Sequence, residues 1–480
     1  MSSQTTVQPF RNSDGNFVPP YPRREVAAPA GGKPPPLPLI YWRTLMELPR
    51  IISNPLESFV SFQFDNPVSR YRLFSIPFAL ISDPALIRHI FVERTDALEA
   101  EPLRQKVLKP ALRDGMLTAE DEVWKRARRT IAPVFSPRNV KSFAGGMKRT
   151  TEAFIEEMKA GPGKFSFSEA MSKLTYLVLS ETLFSGEIDD DVEAILADVA
   201  YFLEKLSAAD PLDFLGAPDW VPRPTRFRGG NATQRLRDSV RGAAENRRER
   251  IRAGEDVPDD FLTLLLRAGD SQDGALTLDE VEDNIITFIA AGHETTARAL
   301  GWTFYLLSND ETALQRAEAE ADALDLTLPP EDWGRHMPWI TACFEESMRL
   351  YPPAAVILRR LKDPIDFGEY QIPKGVNVYI SPWVLHRHTT LWDEPDAFVP
   401  KRFYRDARKE IGRFDYLPFG LGPRICIGAS FAMQEAHIIL ALLLRNFRFD
   451  YAGDRPPWPV LKITVQPDNG MPMRKTNRTS

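Results

Sequence analysis

Phe419-Gly420-Leu421-Gly422-Pro423-Arg424-Ile425-Cys426-Ile427-Gly428 sets one cysteine in a glycine-rich loop directly before a helical pattern that runs from Ala429 to Leu444. Gly420, Gly422 and Gly428 let the backbone take positive φ and come close to a flat object, and Pro423 stiffens the turn between them. Cys426 therefore sits beside a helix N-terminus, where free N–H groups and the macrodipole favour a thiolate over a thiol. A thiolate inside a protein needs a Lewis acid, so Cys426 reads as a metal ligand. Arg424, two residues earlier, brings a permanent cation to the same loop and suits an anionic group.

Working outward, Thr277-Leu278-Asp279-Glu280 is a capping box, and the pattern then runs without proline to Asn309. That length predicts a helix of roughly 50 Å. It is apolar on most sides and should cross the core. In its middle stands Ala291-Gly292-His293-Glu294-Thr295-Thr296, with Phe288, Ala291, Gly292 and Thr295 on one face. A Thr295 hydroxyl bonded back to the Ala291 carbonyl would open the helix locally. Trp124 and Arg128, four apart on a helix expected to start at Trp124, point two donors at one place and suit a carboxylate. Glu346 and Arg349 pair at i,i+3 before Leu350-Tyr351-Pro352-Pro353 ends their helix.

Phe-x-x-Gly-x-Arg-x-Cys-x-Gly at 419–428, Trp-x-x-x-Arg at 124–128, Ala-Gly-x-Glu-Thr-Thr at 291–296, Glu-x-x-Arg at 346–349 and Pro-x-Arg-Phe at 400–403 resemble the motifs of the cytochrome P450 family, the haem-thiolate monooxygenases. The resemblance covers roughly residues 41–480 and departs only at Lys401, where the family more often has Glu. It implies a mainly α fold with small β-sheets (α+β), with one haem-containing catalytic domain over 41–480 behind a proline-rich tail, 1–40. It further implies haem b with Cys426 as the axial ligand of its iron, in a loop shaped by Phe419, Gly420 and Gly428. Trp124, Arg128, Arg359 and Arg424 would face the propionates, and Arg360, next to Arg359, leaves that assignment open. Ala291 and Gly292 would leave room for a diatomic ligand, and Glu294 with Thr295 would form an acid–alcohol pair that delivers protons. Glu346, Arg349 and Arg402 would make a buried structural knot.

The activity so implied is insertion of one oxygen atom from O2 into a small apolar substrate such as a fatty acid, terpenoid, steroid or aromatic. Electrons would come from NAD(P)H indirectly, through a reductase and a separate ferredoxin or, second, a flavodoxin, since no nucleotide-binding fingerprint or cysteine cluster follows the haem loop. A peroxide-driven peroxygenase and a non-catalytic haem sensor are the alternatives. Peroxygenase relatives typically lack the acid–alcohol pair, and a sensor has no need of one.

The 480 residues are 43% hydrophobic and 26% charged, enough for a large core, and a net charge of −6 gives no global sign of nucleic-acid binding. Two cysteines, Cys343 and Cys426, make no disulfide framework and suit a reducing cytoplasm. No signal peptide or uninterrupted apolar run of about 20 residues is present, so a chain without a transmembrane anchor, working as a monomer, is expected.

Nine prolines in residues 1–40 predict an extended tail that hugs or leaves the surface without packing as helix, serving as a lead-in or, second, as a docking segment. Tyr71 to Ile81 reads as a β-hairpin before a helix opening at Ser82-Asp83-Pro84. Asp96 to Asp121 reads as a mobile substrate-facing loop or an ordinary long connection, and Pro211 to Pro224 resembles the family's lid connection, a reading that an ordinary surface loop shares. Met116, Phe202, Phe288, Ala354 to Ile357 and Met471 lie near the expected pocket. His386 and His388 read as structural. Lys125, Arg126, Arg129, Arg138 and Lys141 form a local basic cluster that suits an acidic electron donor.

Overall fold

The computed structural model describes residues 9–25, 37–74, 76–102, 105, 108–109, 112–188, 192–207, 230–269 and 276–478. The expected lid connection, 211–224, lies outside them, as does the side chain of Phe202.

The predicted core helix is present as Leu278–Ser308. Its capping box is closed in both directions: Glu280 N–H donates to Thr277 Oγ1 at 3.2 Å, and Thr277 N–H donates to Glu280 Oε2 at 2.7 Å. Two of the four orphan amides at the helix start are thereby satisfied. The helix is buried nearly all round because helices Phe167–Phe184, Pro338–Leu350, Gly230–Arg252 and Ala429–Asn446 pack on it. Trp302 is fully buried and stacks on Tyr351 with ring centroids 3.8 Å apart. Removing a ring so placed costs about 3–5 kcal/mol.

The β structure is minor and sits beside this bundle. The hairpin forms as Val68–Leu73 and Ile76–Ile81, three residues longer at its start than the sequence suggested, and Asp83 caps helix Pro84–Arg88 through Leu86 N–H at 2.7 Å. Strand Asn377–Ile380 runs parallel to Ile76–Ile81 and antiparallel to Ile357–Leu361, with Val378 opposite both Ala79 and Arg359. Leu98–Glu99 completes this five-stranded sheet. Phe447–Tyr451, Pro472–Asn477 and Lys164–Ser166 form a second sheet, and Pro459–Leu461 with Val465–Pro467 a short hairpin.

The N-terminal segment departs from expectation in two ways. Phe17, Val18 and Tyr21 are extended but buried, with Phe17 edge-on to Tyr305 and its carbonyl accepting from Phe398 N–H at 2.8 Å. Aromatic side chains with a cleft to fill outweigh the tendency of a proline-rich segment to stay solvated. The expected boundary at residue 40 falls inside helix Leu37–Ser53, whose Pro38 lies in the first turn, where a missing N–H costs nothing.

Candidate functional site: a thiol loop ringed by arginines

The cysteine loop is held by its own backbone. Cys426 N–H donates to Phe419 O at 2.8 Å and Ile425 N–H to Gly422 O at 3.1 Å, closing a tight turn before helix Ala429–Asn446. Gly420 and Gly422 take φ of 73° and 64°, as the turn requires. Gly422 is also indispensable for space, because a Cβ there would stand 2.3 Å from Phe91 O. Gly428 differs from expectation. Its φ is −87°, so it serves as N-cap rather than as a left-handed residue.

Cys426 has solvent-accessible surface, yet the protein atoms around its thiol desolvate it. Burial pushes the thiol up, against a hydrogen bond from Gly428 N–H and the charge of Arg128, which lower it. The helix terminus and the arginine thus favour a thiolate, as the sequence suggested, but do not outweigh desolvation by themselves. A metal cation bound to the sulfur would supply the missing positive charge.

Three arginines gather beside this thiol. Arg128, on helix Asp121–Ile131, donates to Ile425 O at 3.0 Å. That helix starts three residues before Trp124. Arg424 donates to Ala119 O and pairs with Glu120, both at 2.8 Å, and its guanidinium lies 4.2 Å from the Trp124 ring centroid. Burial pushes its pKa down to about 10, with Glu120 opposing the shift. Arg359 interacts electrostatically with both Glu120 and Arg424, whereas Arg360, pointing to the other side of the strand, pairs with Glu99 at 3.6 Å. Strand alternation thus settles which of the two arginines faces the site. Burial lowers the Arg359 pKa, and the hydrogen bond it is seen to donate goes to the Leu358 carbonyl, at 3.2 Å.

An apolar surface accompanies these charges. Leu117, Val356 and Ile425 are 38%, 40% and 41% exposed; Leu117 lies two residues before the Ala119 carbonyl that Arg424 meets, Val356 three before Arg359, and the Ile425 carbonyl accepts from Arg128. Ala291 is exposed in the middle of the core helix although its neighbours Ala290 and His293 are buried. Open apolar surface, a desolvated thiol and half-buried guanidiniums fit a flat apolar macrocycle carrying carboxylates and a metal. A surface groove of about 190 Å³ between Pro137, Lys141, Glu331 and His437 contains none of these residues.

On the core helix, Thr295 Oγ1 donates to Ala291 O at 2.9 Å, the predicted back-bond. Glu294 is buried, and its Oε1 accepts from Arg298 at 3.1 Å and from Thr464 Oγ1 at 3.0 Å. Gly292 has a use that spacing did not show. A Cβ there would lie 2.3 Å from Leu179 Cδ1, so its smallness admits helix Phe167–Phe184. Phe288 stacks on Phe135, with centroids 5.0 Å apart, and Met471 is buried against Gly301. The loop expected to be mobile is tied down over Asp114–Met116: Asp114 N–H donates to Asp283 Oδ2 and Met116 N–H to Asn284 Oδ1.

The Glu346 knot is closed. Arg349 Nε and Nη2 meet Glu346 at 2.7 and 2.8 Å, and its other N–H groups reach the carbonyls of His386, Pro395 and Ala397. Arg402 lies 3.5 Å from the same carboxylate. His386 accepts from Leu417 N–H and His388 bonds Thr390, both structural roles. In the basic cluster Arg126 pairs with Glu280 of the capping box and Lys125 with Glu122, while Arg129 and Arg138 are exposed.

Sequence reasoning missed Glu120, Arg298, Thr464 and Glu435. Arg298, four residues after Glu294, carried a readable signal in its spacing. Thr464 and Glu120 carried none, since their partners are distant in sequence. Glu435 is fully buried, and desolvation pushes its carboxyl well above the usual carboxylate range, against a hydrogen bond with Thr296 that lowers it.

The family described as Cytochrome P450 matches residues 33–472. Carotene epsilon-monooxygenase from Arabidopsis thaliana is 29% identical, covering 85% of this chain and 79% of that protein. Cyclooctatin synthase from Streptomyces melanosporofaciens is 29% identical over 86% of this chain and 88% of its own. Protein LUTEIN DEFICIENT 5 from Arabidopsis thaliana is 27% identical, covering 84% and 70%. Among the described residues no helix is long and apolar enough to cross a membrane.

Proposed function

The chain belongs to the cytochrome P450 family and is a monooxygenase of that family, and from this premise we propose that it inserts one oxygen atom of O2 into a largely hydrocarbon substrate with electrons from separate proteins. The observation that carries the reading is the convergence of Gly428 N–H and Arg128 on a desolvated Cys426. In this reading the Cys426 sulfur would bind the iron of haem b, Arg128 and Arg359 would hold the propionates, and Arg424 would share one while keeping Glu120. The bound haem supplies oxygen activation, with the thiolate favouring O–O cleavage. Residues 41–480 form the catalytic unit, with the buried stretch around Phe17 and Tyr21 as an added clasp.

This chain's own residues orient and move protons. Thr295, bonded to the Ala291 carbonyl, keeps its hydroxyl on the exposed side of the core helix and orders a proton-carrying water there. Glu294, next in sequence, refills that water from its carboxyl group. The presence of both favours use of O2 over peroxide. Apolar walls at Leu117, Val356 and Ile425 exclude water and support an apolar substrate, since an unpaired ionic group there would cost several kcal/mol. A relative named for carotene, a hydrocarbon, points the same way.

The electron donor is an acidic ferredoxin or, second, a flavodoxin, fed by an NAD(P)H reductase and drawn by exposed Arg129 and Arg138. The two free cysteines suit a cytoplasmic protein. The test is spectroscopic: reduced protein with carbon monoxide should show the strongly red-shifted Soret band of thiolate ligation, and Cys426→Ala should lose it. A Cys426→Ala spectrum identical to that of the parent protein would overturn the assignment. A panel of apolar compounds scored by the Soret spin shift then ranks substrates, and preferred shifts with small ionic compounds would contradict the apolar pocket.

A further inference from the structure

Glu294 is held asymmetrically. Its Oε1 accepts from Arg298 Nη2 at 3.1 Å, Arg298 Nε at 3.4 Å and Thr464 Oγ1 at 3.0 Å. Among the described residues its Oε2 is buried with no hydrogen-bond partner. Thr464 comes from the turn of the hairpin Pro459–Leu461 and Val465–Pro467, about 170 residues along the chain. It is itself 4% exposed.

The turn is anchored on both sides of that hydroxyl. Lys462 N–H donates to Thr464 O at 3.1 Å, and Val465 N–H to Pro353 O at 3.0 Å. Trp302 Nε1 donates to Val465 O at 3.1 Å. Trp302 stands eight residues beyond Glu294 on the same helix, about 12 Å along its axis. The hairpin is therefore clamped to the core helix at two levels, and the hydroxyl of Thr464 has a fixed place over the carboxylate.

We propose that Thr464 and Arg298 are positioning residues for Glu294, gripping Oε1 so that Oε2 is the atom that carries and releases the proton. Donors loaded on one carboxylate oxygen draw the charge to it and leave the other oxygen as the basic position. When the proton passes from Oε2 to the water that Thr295 orders, the negative charge that remains is held at Oε1 by the guanidinium and the hydroxyl, and a proton returned through that water restores Oε2–H. No electron is moved in this step. The same grip keeps the side chain from pairing elsewhere in a buried setting, where an unpaired carboxylate would be costly. The inference rests on the reading above that Glu294 delivers protons, and it adds two residues to that reading, one of them on the far hairpin.

The experiment uses the haem-loaded full chain with Thr464→Val, Thr464→Ser, Arg298→Met and Glu294→Gln, driven by a plant-type ferredoxin and its NADPH reductase. Dodecanoic acid serves as the hydrocarbon probe. Peroxide formed per NADPH consumed is measured in H2O and D2O, and thermal unfolding is followed in parallel. Thr464→Val should raise peroxide per NADPH about twofold and enlarge the solvent isotope effect, with Thr464→Ser near the parent value. Thr464→Val added to Glu294→Gln should add nothing further, and the same pair should be non-additive in melting temperature, which reports the contact independently of turnover. If Thr464→Val fails to load haem, Arg298→Met carries the same comparison. Parent-level peroxide yield in Thr464→Val and Arg298→Met beside an impaired Glu294→Gln would overturn this inference alone. A Glu294→Gln variant with unchanged yield would overturn the proton reading of Glu294 and this inference with it.

Discussion

Two arginine clusters in this protein are completed to different degrees. Around Glu346, Arg349 spends all its N–H groups on one carboxylate and three carbonyls, with both side chains fully buried. Around Cys426, Arg128 donates to a single carbonyl at 3.0 Å, Arg359 is half-buried and the thiol is desolvated. A closed cluster resists change because each lost partner strands a buried charge. The cluster around Cys426 has fewer such partners, and the difference is what the proposed haem site would require.

The sharpest way to break the comparison is at the closed end. Glu346→Gln or Arg349→Met strands a buried charge, and a loss of about 3–5 kcal/mol is expected. The check is the yield of folded protein and its melting temperature, and a variant as stable as the parent would show that the knot is dispensable. Next in size, Thr295→Ala should leave haem and substrate binding nearly intact while diverting most reducing equivalents to peroxide, read as product formed per NAD(P)H consumed. Unchanged coupling would remove the hydroxyl from the proton path.

At the open end, Arg359→Gln should weaken haem retention by roughly ten- to a hundredfold, in line with about 1.5–3 kcal/mol for a charge-assisted hydrogen bond. Arg360→Gln should leave it alone, because Arg360 already answers to Glu99. Haem transfer to apomyoglobin measures both, and equal losses would erase the distinction between the two arginines.

A pH experiment sharpens the closed end further. His386 lies in the knot, and burial with the charges of Arg349 and Arg387 pushes its pKa down to about 3, from the ordinary 6.5. The unfolded chain therefore binds the extra proton as pH falls below about 6.5, while the folded protein stays neutral there until about 3. The stability from this group is complete above 6.5 and is lost progressively as pH falls from there toward 3. His386→Asn should flatten that part of the unfolding profile, followed by denaturant titration between those limits.

The smallest expected effect concerns the donor. Arg129→Glu with Arg138→Glu should slow second-order reduction a few-fold at low salt, and the difference should shrink as ionic strength rises. Arg126 is unsuitable for this purpose, since its partner is the capping residue Glu280. A rate indifferent to both changes would place docking elsewhere.

The sequence by itself determined the elements whose causes are local. The capping box at Thr277, the proline-free run behind it, the Thr295 back-bond and the turn glycines Gly420 and Gly422 all act within a few residues, so spacing was enough to read them. The order of the motifs likewise sufficed for the family. Tertiary structure alone decided what depends on distant segments meeting. It gave Gly292 to Leu179, made Arg359 rather than Arg360 the inward-facing arginine, buried Phe17 in the body of the protein, and set Thr464 on Glu294. The physical reason is that a side chain's partner across the core is chosen by packing and strand register, and neither is encoded in the residues on its two sides.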